Sequence, residues 1–158
     1  QEFSKKKLTY FDAELNKSYV PYVVETSVGL DRLFLSILCG SFVEETVGDE
    51  QRVLLKIPKH LAPVNVAVLP LLKKDSLNDV ARAIFNDLKS NFTCHYEEKD
   101  SIGKRYRRQD AIGTPLCITI DHDTIRDNQV TVRDRDTMKQ ERVELKKLPV
   151  IIKAKLGI

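Results

Sequence analysis

Apolar residues near the start of the chain change from one spacing to another, which predicts two strands followed by a helix. LTYFD (8–12) and SYVPYVVET (18–26) are rich in β-branched and aromatic residues, and the polar residues between them favour a hairpin. Pro21 then belongs at an edge or a bulge of its strand, because proline donates no ladder hydrogen bond. From Leu30 apolar residues recur at helical spacing, so we predict a helix that ends near Gly40.

The next segment interrupts this pattern. EETVGDEQ (44–51) has the polarity of a linker, and RVLLKIPKHLAPVN after it contains two prolines and little periodicity. We therefore predict a domain boundary there, with one domain in residues 1–50 and a second in residues 51–158.

From residue 64 onward, strand-like and helix-like patterns alternate, which is typical of an α/β sheet with parallel pairs. The segments are the strand VNVAVLPL (64–71), the helix SLNDVARAIFNDLKSN (76–91), the strand TCHYEEK (93–99), the helix SIGKRYRRQDAIG (101–113) and the strand TPLCITID (114–121). We expect Ser76 as the N-cap of the first helix. The predicted apolar face of that helix consists of Leu77, Val80, Ala81, Ile84 and Leu88.

The end of the chain predicts an antiparallel pair and a closing helix. DHDTIRDN (121–128) is rich in Asp and Asn and is interpreted as a turn. QVTVRDRDT (129–137) and ERVEL (141–145) then form two antiparallel strands. The closing helix is PVIIKAKL (149–156), with its proline in the first turn and Gly157 as its end signal.

The composition is that of a folded globular protein, because 42% of the 158 residues are hydrophobic and 31% are charged. The formal net charge of +3 is unevenly distributed. Residues 1–50 contain 5 Lys and Arg against 9 Asp and Glu, whereas residues 51–158 contain 21 against 14. A basic excess of this size is compatible with a phosphate-rich partner, but it is also common on proteins that bind no nucleic acid.

The sequence indicates no metal site, disulfide framework or membrane span. Its cysteines lie far apart in apolar runs, so we expect reduced thiols and a cytoplasmic protein. Its histidines are too scattered for metal binding, and we expect the DHD segment (121–123) to be a structural turn. The residues concerned are Cys39, Cys94, Cys117, His60, His95 and His122. No apolar run approaches the roughly 18 residues of a membrane span.

The segment VVETSVGLDRLFL (23–35) could bind a small polar substrate. A strand would place Glu25 and Ser27 on one face, and Gly29 would let the backbone pass close to a ligand. A carboxylate can hold an ammonium group, and the guanidinium of Arg32 can hold a phosphate. Taken alone, the residues favour a structural interpretation over this one, with a salt bridge between Glu25 and Arg32 and Ser27 as a helix cap.

Longer motifs resemble a known family. PYVVETSVGLDR (21–32), followed by an apolar helix, resembles the third signature motif of the class II aminoacyl-tRNA synthetases in its glycyl form. KDSIGKRYRRQDAIGTP (99–115), VTVRDRDTM (130–138) and QERV (140–143) resemble the anticodon-binding domain of the dimeric glycyl-tRNA synthetases. The resemblance covers nearly the whole chain. It implies a mixed five-stranded sheet flanked by helices, preceded by a β-hairpin and a helix from the end of a catalytic domain.

The resemblance also implies substrates and site residues. The expected glycine site consists of Glu25, Thr26, Ser27, Val28 and Gly29. The expected ATP site consists of Gly29, Leu30, Asp31 and Arg32. ATP is expected as a substrate accompanied by Mg²⁺, tRNA(Gly) as the second substrate, and a homodimer as the full-length form. Because the first two signature motifs of the family are missing, we expect a C-terminal portion that does not activate glycine alone.

For the anticodon, the expected contacts are Lys99, Arg107, Arg133 and Arg135, since arginine can both stack on a base and bond two acceptors. Arg133 and Arg135 would alternate onto one strand face. They could instead pair with Asp134, Asp136 or Glu141 and tie strands together. In the helix 101–113, Tyr106 is predicted to point into the sheet, and one flanking arginine toward Glu97 or Asp100.

Two other functions are weighed. One is a non-catalytic RNA-binding module with the same fold, and the intact ETSxGxDR motif argues against it. The other is a nucleotide-binding α/β domain, which the lack of a Gly-rich turn after VNVAVLPL disfavours.

Overall fold

A computed structural model describes residues 2–73 and 75–158 of the chain. The chain divides into two compact units, Gln1–Leu33 and Phe34–Ile158, and each is described by itself. In the described ranges, no helix is both long and apolar enough to cross a membrane.

The first unit contains a short hairpin. Strands β1 (Tyr10–Asp12) and β2 (Lys17–Tyr19) are antiparallel, and the Asp12 carboxylate accepts hydrogen bonds from two backbone N–H groups of the turn. The predicted hairpin is confirmed. The predicted extension of the second strand to residue 26 is wrong, because residues 20–29 have no regular structure. With a partner strand only three residues long, the apolar and β-branched residues beyond Tyr19 have no ladder to join.

Helix α1 (Leu30–Ser41) begins at the predicted residue and ends one residue beyond Gly40. It leads into a second hairpin of strands β3 (Phe42–Val47) and β4 (Glu50–Leu55), joined by a turn in which Gly48 has a φ of 62°. The linker predicted for residues 44–51 is therefore wrong. Polar residues dominate there because β3 alternates exposed and half-buried positions, so only one face of the hairpin is covered.

The predicted division into the domains 1–50 and 51–158 stays a prediction. The compact units divide the chain earlier, between residues 33 and 34.

The main sheet has five strands in the order β6-β5-β7-β8-β9. The strands are β5 (Val66–Pro70), β6 (Cys94–Tyr96), β7 (Leu116–Ile120), β8 (Gln129–Asp134) and β9 (Gln140–Glu144). β5 is parallel to β6 and β7, whereas β8 is antiparallel to both β7 and β9, so the predicted mixed sheet is confirmed. β5 and β7 are buried at every position, which is why their sequences are almost continuously apolar.

Helices cover both faces of this sheet. They are α2 (Asp75–Leu88), α3 (Ile102–Ile112), α4 (His122–Asp127) and α5 (Leu148–Leu156), with short 3-10 turns at Lys59–Leu61 and Leu145–Lys147. The main core joins α2 and α5 to one face of the sheet and includes Val66, Val68, Leu77, Leu88, Ile118 and Ile152. On the other face, Ile102 and Tyr106 of α3 pack against Ala67, Leu69 and Cys117.

Helix boundaries confirm part of the sequence prediction. The apolar face of α2 packs into the main core as predicted, and α5 ends before Gly157, which has a φ of 75°. Ser76 is not the N-cap, because the helix already includes Asp75. The turn predicted for residues 121–128 is wrong: it is α4, which begins with a capping box between Asp121 and Thr124.

Candidate functional site

The predicted glycine and ATP residues lie at the end of the first unit. Residues 25–29 are exposed and without regular structure, and residues 30–32 form the exposed first turn of α1. The Leu33 N–H donates to the Gly29 carbonyl at 3.0 Å, which fixes the entry into the helix. Because residues 25–27 are not in a strand, the expectation that Glu25 and Ser27 share a strand face is wrong. Their assignment to the glycine site stays a prediction.

In the second unit, a cavity of about 470 Å³ opens beside the N-terminal half of α3. Its lining residues come from β4, from α3 and its N-cap, from β8, from β9 and from the turn between these two strands: Glu50, Ser101, Gly103, Lys104, Tyr106, Arg107, Arg133, Met138 and Gln140. Three of these side chains are cationic, one is anionic and one is aromatic. The cavity therefore combines positive charge with a flat ring and several hydrogen-bonding groups.

The ends of α3 place these side chains. Ser101 occupies the N-cap position after Asp100, which has a φ of 66°. Gly113 ends the helix with a φ of 85°, and a Cβ atom there would lie 2.9 Å from the Leu55 carbonyl oxygen. A side chain at Gly113 would thus meet both a strained backbone and the end of β4. The close approach of this glycine keeps α3 against the second hairpin.

Buried charges form the wall behind the cavity. Asp110 is fully buried and accepts hydrogen bonds from both terminal nitrogens of Arg133, at 2.9 and 3.0 Å. Arg52 donates its Nε–H to the same carboxylate at 2.9 Å and also pairs with Glu45. Burial lowers the pKa of Arg52, but the carboxylates of Asp110 and Glu45 outweigh it and raise the pKa overall. The Arg52 guanidinium therefore stays charged inside the domain.

Tyr106 points into the sheet, as predicted, and shares a hydrogen bond with the Thr119 hydroxyl at 2.5 Å. The guanidinium carbon of Arg133 lies 4.7 Å from the centre of its ring. Burial raises the pKa of Tyr106. Arg133 is thus held between a carboxylate and an aromatic ring at the edge of the cavity. Its predicted contact with the anticodon stays a prediction.

Arg135 pairs with Asp136, as one of the two interpretations of its sequence expected, but it does not share a strand face with Arg133. β8 ends at Asp134, so Arg135 lies in the following turn. It is buried, and its guanidinium donates to the carbonyl groups of Leu55, Gly113 and Ile57 and to the Asp136 carboxylate. These bonds hold three segments together: the turn after β8, the end of β4 and the end of α3. The predicted contact of Arg135 with the anticodon stays a prediction.

A second cavity of about 500 Å³ lies on the other side of Ser101, where β5 and β6 end. Its lining residues are Leu71, Leu72, Lys73, Glu98, Lys99, Asp100, Ser101 and Arg105. Lys99 and Arg107, two predicted anticodon contacts, therefore lie in neighbouring cavities that share the N-cap of α3. Parallel strands end at this edge, which is where open α/β sheets usually bind ligands.

Two other arginines of α3 are structural. Arg108 pairs with Glu97 and Asp100, the two acidic residues toward which an arginine of this helix was predicted to point. Arg105 is buried, and it donates to the carbonyl groups of Pro70, Leu71 and Glu97. Burial lowers the pKa of Arg105. The sequence does not predict this burial, because the carbonyl groups that accept the hydrogen bonds lie at the ends of other strands and come close to α3 only in the folded chain.

Within the described ranges, no group of three or more His, Cys, Asp or Glu residues is arranged to hold a metal ion. Cys117 is buried and Cys94 is half-buried, and burial raises the pKa of Cys117 to about 12 and that of Cys94 to about 11, which disfavours the thiolate form of both.

Comparison with known proteins places this geometry in a family. The family described as "Anticodon binding domain" matches residues 65–155. A glycine–tRNA ligase of Chlorobaculum tepidum is 47% identical over 156 residues, which cover 99% of the chain and 33% of that protein. A glycine–tRNA ligase of Malacoplasma penetrans is 52% identical over 147 residues, 92% of the chain and 31% of that protein. The chain spans about a third of the length of these curated relatives.

Solved structures agree on the fold. The RNA-binding domain of threonyl-tRNA synthetase from Cryptosporidium parvum has a TM-score of 0.57 at 24% identity, covering 63% of this chain and 25% of that one. Prolyl-tRNA synthetase from the same organism has a TM-score of 0.59 at 18% identity, covering 65% of this chain and 23% of that one. Since the family match takes in more than half of its residues, this chain belongs to the family of anticodon-binding domains.

Proposed function

We propose that the chain is part of a glycine–tRNA ligase and that its second unit binds the anticodon loop of tRNA(Gly). The observation that carries the proposal is the 47% identity to such a ligase over 99% of the chain. The matched 156 residues take in both the anticodon-binding segment and the segment with ETSVGLDR.

The geometry of the second unit supports RNA binding. Anticodon loops are single-stranded, so their bases are recognised by hydrogen bonds to base edges, by stacking on flat groups and by cations on phosphates. The two cavities beside Ser101 offer all three kinds of group. We propose Lys99 and Arg107 as contacts from the exposed surface and Arg133 as part of the cavity wall. Arg135 supports the turn after β8 from inside.

We propose that residues 25–32 contribute to the glycine and ATP site of the complete ligase. In this reaction a glycine carboxylate oxygen attacks the α-phosphorus of ATP, and pyrophosphate leaves with the electron pair of the broken bond. The glycyl group then passes to a hydroxyl at the 3′ end of the tRNA, which releases AMP. Such a transfer depends on orientation and charge stabilisation, so no protein nucleophile is required. Mg²⁺ with the ATP, a homodimer and a cytoplasmic location belong to the same proposal.

The proposal is tested in the full-length protein by measuring two steps separately. Glu25→Ala removes the carboxylate proposed to hold the glycine ammonium group, so glycine-dependent ATP–pyrophosphate exchange should fall at least about 100-fold. Arg133→Ala should weaken tRNA charging while the exchange rate changes less than about threefold. An equal loss in both steps for Arg133→Ala would contradict the division of labour.

Two further outcomes decide between the alternatives. A full-length protein that binds tRNA but shows neither exchange nor charging would indicate a non-catalytic RNA-binding module. Because the 158-residue chain matches only a third of its relatives' length, we expect it to show no glycine-dependent exchange by itself. Exchange above background by the purified chain would refute that expectation.

A further inference from the structure

Arg107 and Glu50 form an ion pair in the wall of the first cavity. The Arg107 Nη2 atom lies 3.0 Å from a Glu50 carboxylate oxygen. The side chains are 34% and 78% exposed, so both reach the opening of the cavity. Among the described residues that line it, Glu50 is the one that carries a carboxylate. A carboxylate is unexpected in a cavity whose other charged side chains would attract phosphate.

The pair is held by rigid elements. Glu50 is the first residue of β4, and Arg52 lies two residues further on the same strand face. Arg52 is anchored on Asp110, which lies one helical turn after Arg107 on α3. The face of β4 that carries Glu50 is thus fixed against α3. A ligand in the cavity would meet the carboxylate and the guanidinium side by side.

Together, these two groups present one acceptor next to two or more donors. The carboxylate of Glu50 accepts hydrogen bonds, and the guanidinium of Arg107 donates them. The pairing edge of cytosine presents a donor, its exocyclic amine, followed by two acceptors, its ring nitrogen and its carbonyl oxygen. Acceptor, donor and donor is the complementary order, the one that guanine offers to cytosine in a base pair. Uracil places a carbonyl where cytosine has its amine, and a carboxylate repels that oxygen.

We propose that the Arg107–Glu50 pair reads a cytosine of the anticodon by imitating the pairing edge of guanine. This inference rests on the proposed function and names the base that the site selects. Every glycine codon begins with two guanines, so a glycine anticodon contains two adjacent cytosines. Tyr106 and Met138 provide less polar walls for a flat ring, and a volume of about 470 Å³ is enough for one base.

The test measures binding of the 158-residue chain to anticodon stem-loop RNAs. One RNA carries the two glycine cytosines, two others carry uracil in place of the first or the second, and a fourth carries an unrelated anticodon. The native chain should bind the cytosine RNA at least about tenfold more tightly than one of the uracil RNAs. Glu50→Gln should reduce that preference by about tenfold, because the amide can donate to the uracil carbonyl as well as accept from cytosine.

The control variant is Glu44→Gln. Glu44 is exposed on the same hairpin, but its position in β3 places it on the face opposite to Glu45 and Arg52. Glu44→Gln changes the net charge by the same amount as Glu50→Gln. It should therefore tighten the binding of all four RNAs equally and leave the ratio of the cytosine and uracil affinities unchanged. Circular dichroism spectra of both variants should match that of the native chain.

The outcomes separate the inference from the proposed function. If Glu50→Gln keeps the native preference for cytosine over uracil, the inference is refuted while anticodon binding stands. If Glu44→Gln shifts the cytosine-to-uracil ratio as much as Glu50→Gln, net charge explains the effect and the inference is again refuted. If the native chain binds all four RNAs equally, both the inference and the proposed anticodon function fail.

Discussion

Replacing Asp110 with asparagine would remove the carboxylate on which two buried arginines depend. Asp110 is fully buried and accepts three hydrogen bonds, two from Arg133 and one from Arg52. The side chains of these arginines are 6% and 0% exposed, so water cannot take the place of the carboxylate. Without it, Arg133 keeps the ring of Tyr106 and the Cys117 thiol as neighbours, whereas Arg52 keeps the Glu45 carboxylate and the Arg135 carbonyl.

The expected loss is large for a single substitution. Removing one partner of a buried ion pair typically costs about 3–5 kcal/mol, because it leaves a buried charge without compensation. Since Arg52 retains a second carboxylate, we expect about 3 kcal/mol for Asp110→Asn. That is a considerable part of the roughly 5–15 kcal/mol that stabilises a typical domain.

Urea unfolding followed by circular dichroism measures this loss, since the chain contains no tryptophan. With a urea dependence of about 2 kcal/mol per M, the midpoint should fall by about 1.5 M. Asp127→Asn is the matched control: it removes a carboxylate that Arg142 binds at 2.8 Å, but both side chains are about a third exposed. It should cost about 0–1 kcal/mol. Equal losses in the two variants would refute the reasoning about the buried network.

Three other changes follow from the described contacts. Gly113→Ala should cost about 2 kcal/mol or more in urea unfolding, because φ is 85° and the new Cβ would lie 2.9 Å from the Leu55 carbonyl oxygen. Burial of Asp134 acts to raise its pKa, but the ion pair with Lys59 and hydrogen bonds from the following turn lower that pKa to about 2. The resulting stabilisation, roughly 2 kcal/mol, is complete above about pH 4 and should be lost as the pH falls toward 2. Cys117, buried with a pKa of about 12, should resist thiol reagents until the protein unfolds.

Each of these predictions has a control within the chain. Gly48 has a similar φ of 62°, but no atom lies within 4 Å of a Cβ added there. Gly48→Ala should therefore lower the free energy of unfolding by about 1 kcal/mol, less than Gly113→Ala does. Asp134→Asn should flatten the dependence of stability on pH between 4 and 2, and an unchanged slope would contradict the assigned role. Cys39 is exposed and should react in the folded chain, whereas equal reaction rates for Cys39 and Cys117 would refute the burial argument.

The sequence predicts the elements that have one dominant periodicity. The helical spacing from Leu30 and the continuous apolar runs of β5 and β7 are properties of neighbouring residues, and the structure confirms them. The hairpin of β3 and β4 was missed because only one of its faces is covered, which makes its sequence resemble a linker. For α4, a usable signal was present: Asp121 and Thr124 have the spacing of a capping box.

The candidate site is harder to predict because its parts come from distant positions. Arg52 and Asp110 are 58 residues apart, and no local pattern indicates that they touch. The same holds for Arg105 and Arg135, which the sequence suggests are surface cations and which the fold buries against backbone carbonyls. Lys99 and Arg107 lie in the motif that resembles the family, and this is why they are predicted as anticodon contacts. The opposing group, Glu50, lies outside that motif and becomes visible only in the cavity.

Recognition of a glycine anticodon by the second unit should show as tRNA binding that depends on the anticodon across a salt series. The 158-residue chain is titrated with tRNA(Gly) and with the same tRNA carrying an unrelated anticodon, between about 50 and 200 mM salt. Both affinities should fall with salt because phosphate contacts contribute to each. If the second unit recognises the glycine anticodon, tRNA(Gly) should bind at least about tenfold more tightly than the altered tRNA at every salt concentration. Equal affinities for the two tRNAs throughout the series would contradict it.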